Sequence, residues 1–130
     1  GFPVPKTGWW SQHDPLNMKK VDKPWGWYIV LDEGPDYVIK KIYISPLERF
    51  SLQKHMHREE YWHILSGYGL INIDSKKKVV YENESFHIKK EVIHRLQSGK
   101  DGITFIEVQR GECDEDDIIR LQDDYNRVTE

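Results

Sequence analysis

From Trp25 to Gln109 the chain is a succession of short runs rich in β-branched and aromatic residues, broken at close intervals by turn-forming clusters. The clusters are Glu33-Gly34-Pro35-Asp36, Ser45-Pro46, Ser66-Gly67, Asp74-Ser75, Glu82-Asn83-Glu84 and Ser98-Gly99-Lys100-Asp101-Gly102. Runs this short leave no room for long helices, and their regular spacing predicts an all-β sandwich or barrel. All six prolines fall at or before Pro46, and four of them lie in residues 1–24 together with Trp9-Trp10. That stretch has no period and reads as an irregular arm. Its aromatics predict that it packs on something, such as a partner subunit; a loose terminal tail is the competing reading. Residues 25–130 read as one domain. Residues 115–127 are acidic, with Ile118, Ile119, Leu121 and Tyr125 at irregular helical spacing, and predict one short helix or a loop docked on the barrel. The chain starts with Gly1 rather than Met, and Met18 is a candidate natural start.

Bulk properties narrow the function classes. A chain of 130 residues suits a single core-bearing domain. A net charge of −3 gives no footprint for nucleic acid or a membrane surface. Cys113 is the single cysteine, so no disulfide forms within the chain, as suits a reducing compartment. No apolar run is long enough for a span or a signal peptide, and the expected location is the cytoplasm.

The polar residues are concentrated in one place. Residues 53–60 read Gln-Lys-His-Met-His-Arg-Glu-Glu. In an extended chain, side chains two apart share a face. Phe50 and Leu52 then lie on one side of segment 47–54, with Arg49, Ser51, Gln53 and His55 on the other. Glu60 opens the run 60–66 and shares a face with Trp62 and Ile64. His94 lies in the short strand-like run Val92–Leu96. Gln53, His55, Glu60 and His94 are thus candidates to converge on one divalent cation, because imidazole nitrogen and carboxylate oxygen are good donors to such ions. His57 is the competing ligand, and otherwise sits beside the metal or the substrate. His63 alternates outward. In 103–109, Ile103, Phe105, Glu107 and Gln109 share a face, which places Glu107 and Gln109 beside the cation.

The spacing resembles the first cupin motif: Gln53-x-His55, four residues, Glu60, six residues, Gly67, with Gln in the first His place. His94 keeps the His position of the second motif, although Lys89-Lys90-Glu91 stands where that motif has a Pro-x-Gly turn. A closer likeness runs from about Lys23 to Arg127. Lys-Pro-Trp-Gly-Trp-Tyr (23–28), Ser-Leu-Gln (51–53), His-x-His-Arg-x-Glu-x-Trp (55–62), Leu-Ser-Gly (65–67), His-Arg-Leu (94–96), Ile-Glu-Val-Gln (106–109) and Asp-Asp-Tyr-Asn-Arg (123–127) resemble the type II mannose-6-phosphate isomerase cupin. This module also forms the C-terminal part of mannose-1-phosphate guanylyltransferase/isomerases. The Pro-Gly that the family carries before the first motif is Pro46-Leu47 here.

The resemblance implies a double-stranded β-helix, or jelly-roll barrel, and a homodimer. It implies one divalent metal on Gln53, His55, Glu60 and His94, zinc first, with cobalt, nickel, manganese or iron as alternatives. It implies interconversion of mannose 6-phosphate and fructose 6-phosphate; Glu107, placed inward by the alternation of 103–109, is the candidate proton-transfer group. The inward-facing Arg49 would meet the phosphate, or else pair with a carboxylate such as Glu107. Ser51, Lys54, His57, Gln109, Arg120 and Arg127 are the further substrate candidates, with Lys40 and Lys41 as other phosphate contacts. A different cupin enzyme, such as an iron oxygenase or a lyase, and a sugar-phosphate-binding cupin without turnover are the rival readings.

Overall fold

The computed structural model describes residues 19–129, so Trp9-Trp10 and Met18 of the arm lie outside the described residues. Nine strands follow one another: β1 Lys20–Lys23, β2 Gly26–Gly34, β3 Tyr37–Ile44, β4 Leu52–Lys54, β5 Arg58–Ile73, β6 Lys76–Tyr81, β7 Ser85–Ile88, β8 His94–Gly111 and β9 Ile119–Gln122. Every described ladder between them is antiparallel.

Two strands organise the rest. β5 has 16 residues and β8 has 18, and each serves both layers of the barrel. The second half of β8 pairs with β3 on one side and with the first half of β5 on the other. That layer continues outward through β2 and β1 on one edge and β7 on the other. The first half of β8 pairs with the second half of β5 and with β4, and this layer ends in β6 and β9. Apolar residues from both layers fill the space between them. Ile44, Ile64, Val80, Leu96, Ile103 and Phe105 are fully buried, and Trp62 packs its ring 4.9 Å from Phe105.

This arrangement corrects two of the expected turns. Neither Ser66-Gly67 nor the 98–102 cluster ends a strand; both are sites where β5 and β8 bend from one layer into the other, marked by register shifts at Ile64/Ser66 and Gly67/Gly69. Glycine signals a bulge as readily as a turn, because both need backbone that a Cβ obstructs. Here Gly67 has φ +83° and Gly102 φ +78°, and a Cβ on Gly67 would stand 2.1 Å from the Gly102 carbonyl oxygen.

Both chain ends also differ from expectation. Within the predicted irregular arm, Lys20–Lys23 form β1 against Gly26–Ile29. The C-terminal segment follows the loop alternative of the expected helix or loop, with one short added strand, β9, on the edge that β4 leaves. Side chains anchor this segment. The buried Arg95 donates to the Phe50 carbonyl and to both oxygens of Gln122. Arg49 makes two hydrogen bonds of 2.8 Å to Asp124. Tyr125 donates to Glu48, and Arg127 to Asp123.

The two departures from the family pattern have a backbone signature. Leu47 and Glu91 stand where the family motifs carry glycine, and both occupy left-handed backbone, at φ 64° and 66°. The turn at Lys89–Glu91 therefore forms without Pro or Gly: Val92 N–H reaches the Lys89 carbonyl and Glu91 N–H reaches the His55 carbonyl at 2.7 Å. An L-residue in this region costs about 1–2 kcal/mol, and glycine returns about 0.5–1 kcal/mol of that through unfolded-chain entropy. Both side chains are exposed, Leu47 at 63%, so little packing is lost with them. Leu47→Gly and Glu91→Gly are each expected to stabilise the fold by about 0.5–1 kcal/mol. Urea denaturation of the single and double variants measures this, and a lower midpoint in either would refute it.

Candidate metal centre and cavity

Three strands carry the donors. Arg58, Glu60, Trp62 and Ile64 alternate inward along β5, and Glu60 is 1% exposed. His94 opens β8 directly opposite Gln53 of β4, and His55 follows β4 by one residue. The nitrogen and oxygen donor atoms of His55, Glu60 and His94 all lie within 4.8 Å of one another. His55 Nε2 is 3.4 Å from one Glu60 oxygen, and His94 Nε2 is 3.8 Å from the other. Phe50 and Trp62 wall the pair in, edge-on to the His94 ring.

Hydrogen bonds fix which nitrogen each imidazole presents. His94 Nδ1 lies 2.9 Å from the Val92 carbonyl, and His55 Nδ1 lies 2.7 Å from the Asp117 carbonyl. A carbonyl only accepts, so each Nδ1 carries the proton and each Nε2 turns a lone pair inward. Burial pulls both histidines down to about 4, helped by the Arg58 charge for His55 and by His55 for His94. Both are neutral at pH 7, the form a metal requires. His94 Nε2 is buried with no hydrogen-bond partner. An orphaned acceptor beside a second imidazole and a carboxylate is what a divalent cation would satisfy, so these residues fit a metal.

Gln53 reaches the same place with its amide nitrogen, 3.5 Å from His55 Nε2, while its Oε1 accepts from Ser51 Oγ at 2.8 Å. Half a turn of the amide would present Oε1 to a cation, and the Ser51 hydroxyl then accepts where it had donated. Arg58 is buried against the triad. Its Nε donates to Glu60 at 2.9 Å and its Nη2 lies 3.3 Å from His55 Nε2, so a guanidinium compensates the Glu60 charge.

Behind the triad lies Glu107. Trp62 Nε1 bridges the two carboxylates, 3.1 Å from Glu60 and 3.1 Å from Glu107, and Gln109 Nε2 donates to Glu107 at 2.9 Å. Burial, and then the neighbouring Glu60 charge, raise Glu107 to about 7. Glu107 opens on a cavity of about 250 Å³ that Gln53, His55, Arg58 and Gln109 also line. Trp25, Tyr28, Lys40, Ile42 and Phe50 form its walls, and Lys23, Glu115, Asp116, Ile118, Arg120 and Arg127 close it.

The cavity sorts the sequence candidates. Gln53, His55, Glu60, His94, Glu107 and Gln109 come together, and Arg120 and Arg127 reach the same space from the C-terminal segment. Arg49 does not: it turns outward to Asp124, so its partner is a surface carboxylate rather than Glu107. Alternation fails there because β4 has only three residues, with a register shift at Leu52/Gln53 in its pairing with β9. For the same reason Phe50 lines the cavity and Ser51 lies behind Gln53. Lys54 is off the cavity on β4, paired with Ile119, and His57 is exposed on the outer side of its turn. Lys41 likewise lies off the cavity lining. His63 faces outward, against Ser85.

Arg58, Lys23 and Tyr28 escaped the sequence reading as site residues, and Lys40 entered it only as an alternative. Arg58 was readable, since the period of Glu60 and Trp62 carried back two residues reaches it. Lys23 and Tyr28 belong to the stretch around β1, whose strand character has no sequence period. Lys40, noted only as an alternative, shares its β3 face with Val38, Ile42 and Ile44 and is 4% exposed. It pairs with Glu115 and lies 4.2 Å from the centre of the Tyr28 ring.

Comparison with known proteins gives the family of the chain. The "Mannose-6-phosphate isomerase C-terminal" family matches residues 11–123. Mannose-1-phosphate guanylyltransferase of Salmonella montevideo is 40% identical over 90% of this chain, and that of Escherichia coli strain K12 is 38% identical over 91%. The alginate biosynthesis protein AlgA of Pseudomonas aeruginosa is 41% identical over 88%. The match takes in only 24–25% of each of these proteins, so the chain spans about a quarter of their length. Among solved structures, an RmlC-like cupin from Shewanella frigidimarina superposes with a TM-score of 0.71 at 19% identity, covering 78% of this chain and 90% of that one. The capsular polysaccharide assembling protein CapF from Staphylococcus aureus gives 0.70 at 17%, covering 81% and 34%. At such identities the structures attest the cupin barrel alone, whereas the sequence match, extending through every ligand candidate, makes this chain a member of the mannose-6-phosphate isomerase C-terminal family.

Proposed function

We propose that this domain is a metal-dependent aldose–ketose isomerase that interconverts mannose 6-phosphate and fructose 6-phosphate. The observation that carries the reading is that His55, one member of a convergent His55–Glu60–His94 set, and Glu107, a buried carboxylate raised to about 7, line one small cavity. The family name and the mannose-phosphate chemistry in the relatives' names support the choice of sugar.

Isomerisation moves a proton between C1 and C2 of the open-chain sugar through an enediol. A divalent ion on His55, Glu60 and His94, with Gln53 as a fourth donor, would supply Lewis-acid stabilisation of developing charge on the sugar oxygens. The chain's own residues do the rest. Glu107 takes the proton from one carbon and returns it to the other; a carboxyl near 7 gives and accepts with comparable ease at neutral pH. Gln109 and Trp62 hold its two oxygens in place. The walls of Trp25, Phe50 and Ile42 exclude water from the enediol.

The phosphate falls to the cavity mouth. Lys40, Arg58 and Arg127 are already committed to Glu115, Glu60 and Asp123. Arg120 is not: its Nε is buried without a partner, and Lys23 lies on the same rim. Arg120 with Lys23 is therefore the phosphate handle in this reading. One observation favours a second reading. Without Gln53 the donor set is two histidines and one carboxylate, the arrangement of ferrous oxygenases.

The deciding test is a coupled assay with mannose 6-phosphate on protein stripped of metal and reloaded with zinc, cobalt, nickel or manganese. Metal-dependent fructose 6-phosphate is expected; no product with any of them, together with oxygen uptake on ferrous loading, would replace this reading with the second. His55→Ala should lose metal and turnover together, and normal metal content in that variant would refute the ligand assignment. Glu107→Gln should retain metal and lose about 10²–10⁴ in kcat; an unchanged kcat would clear Glu107 of the proton transfer. Arg120→Met should raise KM about 10- to 100-fold at similar kcat, the effect of losing one charge-assisted hydrogen bond of about 1.5–3 kcal/mol. An unchanged KM would move the phosphate elsewhere.

A further inference from the structure

The two histidines of the metal set are held in different ways. His94 is oriented by Val92, two residues earlier on its own approach to β8. His55 is oriented from 62 residues away, by the backbone carbonyl of Asp117. The Asp117 carboxylate reinforces that contact: Oδ1 accepts from Met56 N–H at 3.0 Å, and Oδ2 from His57 N–H at 2.9 Å. One residue thus grips three consecutive positions, the ring of residue 55 and the amides of 56 and 57. The surrounding strap follows the same line. Glu112 N–H donates to the His57 carbonyl at 3.0 Å, Arg58 Nη1 donates to the Asp114 carbonyl at 3.1 Å, and Asp117 N–H closes a turn onto the Asp114 carbonyl.

The same strap forms one side of the substrate space. Glu115, Asp116 and Ile118 line the cavity, and Glu115 latches onto the buried Lys40. Residues 112–118 have no ladder partner of their own, so their position rests on these contacts. Anything that shifts the strap shifts the acceptor of the His55 Nδ1 proton.

We infer that Asp117 is a positioning residue of the metal centre, holding His55 Nε2 on the cation from the C-terminal strap. The inference rests on the metal reading above. A group that fixes the tautomer and ring direction of a ligating histidine is typically worth 10- to 100-fold in metal affinity. Asp117 supplies the acceptor through its backbone, so its side chain acts by keeping that carbonyl in place.

The test is cobalt titration of the metal-stripped full chain, followed through both affinity and the visible ligand-field spectrum, with circular dichroism melting as the control for folding. Asp117→Ala is expected to bind cobalt about 10- to 100-fold more weakly, with an altered spectrum. Asp117→Asn keeps one oxygen acceptor for Met56 or His57 and is expected to fall between Asp117→Ala and the parent. It also serves if the alanine variant does not fold. Glu112→Gln, an exposed neighbour on the strap that lies off the cavity and whose side chain makes no hydrogen bond among the described residues, is expected to match the parent. Parent-like affinity and spectrum in both Asp117 variants would overturn the proposal, as would an equal loss in Glu112→Gln. A parent chain that takes up no cobalt at all would overturn the metal reading itself, and this inference with it.

Discussion

A carboxylate that is 1% exposed at the centre of an apolar barrel is the constraint around which this molecule is arranged. Glu60 cannot keep its charge there unless something compensates it. Arg58 supplies a guanidinium at 2.9 Å, Trp62 supplies an indole N–H, and two neutral imidazoles stand with lone pairs directed at the same point. Those lone pairs repel the carboxylate oxygens unless a cation joins them. Binding and folding would then be linked: a divalent ion that satisfied Glu60, His55 and His94 together would stabilise the arrangement that already holds Arg58 and Trp62 in place.

The barrel serves this centre by bringing distant segments together with little backbone. β5 contributes Arg58, Glu60 and Trp62, β8 contributes His94, Glu107 and Gln109, and the two strands pair along most of their lengths. Because each strand bends at a glycine, its first and second halves face the same interior from different layers. His94 and Glu107 are 13 residues apart on one strand and still line one site. The loops and short strands then decide what enters. Lys23, Lys40, Arg120 and Arg127 make the rim cationic, and Glu115 and Asp116 temper it.

Where the alternation of side chains ran unbroken, the sequence was informative. Glu60, Trp62 and Ile64 on β5, and Ile103, Phe105, Glu107 and Gln109 on β8, lie inward as their period predicts. Around β4 the same reasoning failed, because three residues of strand and a register shift do not maintain a phase. Arg49 was drawn inward by it and in fact binds Asp124 outside. Glycines identified positions of special backbone but not their use, since a turn and a bulge make the same demand. Leu47 and Glu91 show the reverse case: the turns persist though the residue types that announce them are gone. The strap over His55 was unreadable for a different reason. Its attachment is through a backbone carbonyl, which any residue type carries.

The sharing of β5 and β8 between layers also sets how the molecule comes apart. Neither layer can separate without breaking ladders in the other, so the barrel behaves as one cooperative unit. The C-terminal segment is attached otherwise, by β9 along one short edge and by side chains such as the buried Arg95 and the more exposed Arg49. Local opening with a small free-energy cost belongs there. One side of the cavity is therefore held thermodynamically rather than mechanically: the segment that supplies Ile118, Arg120 and Arg127 to its lining is tied to the barrel by a single short ladder.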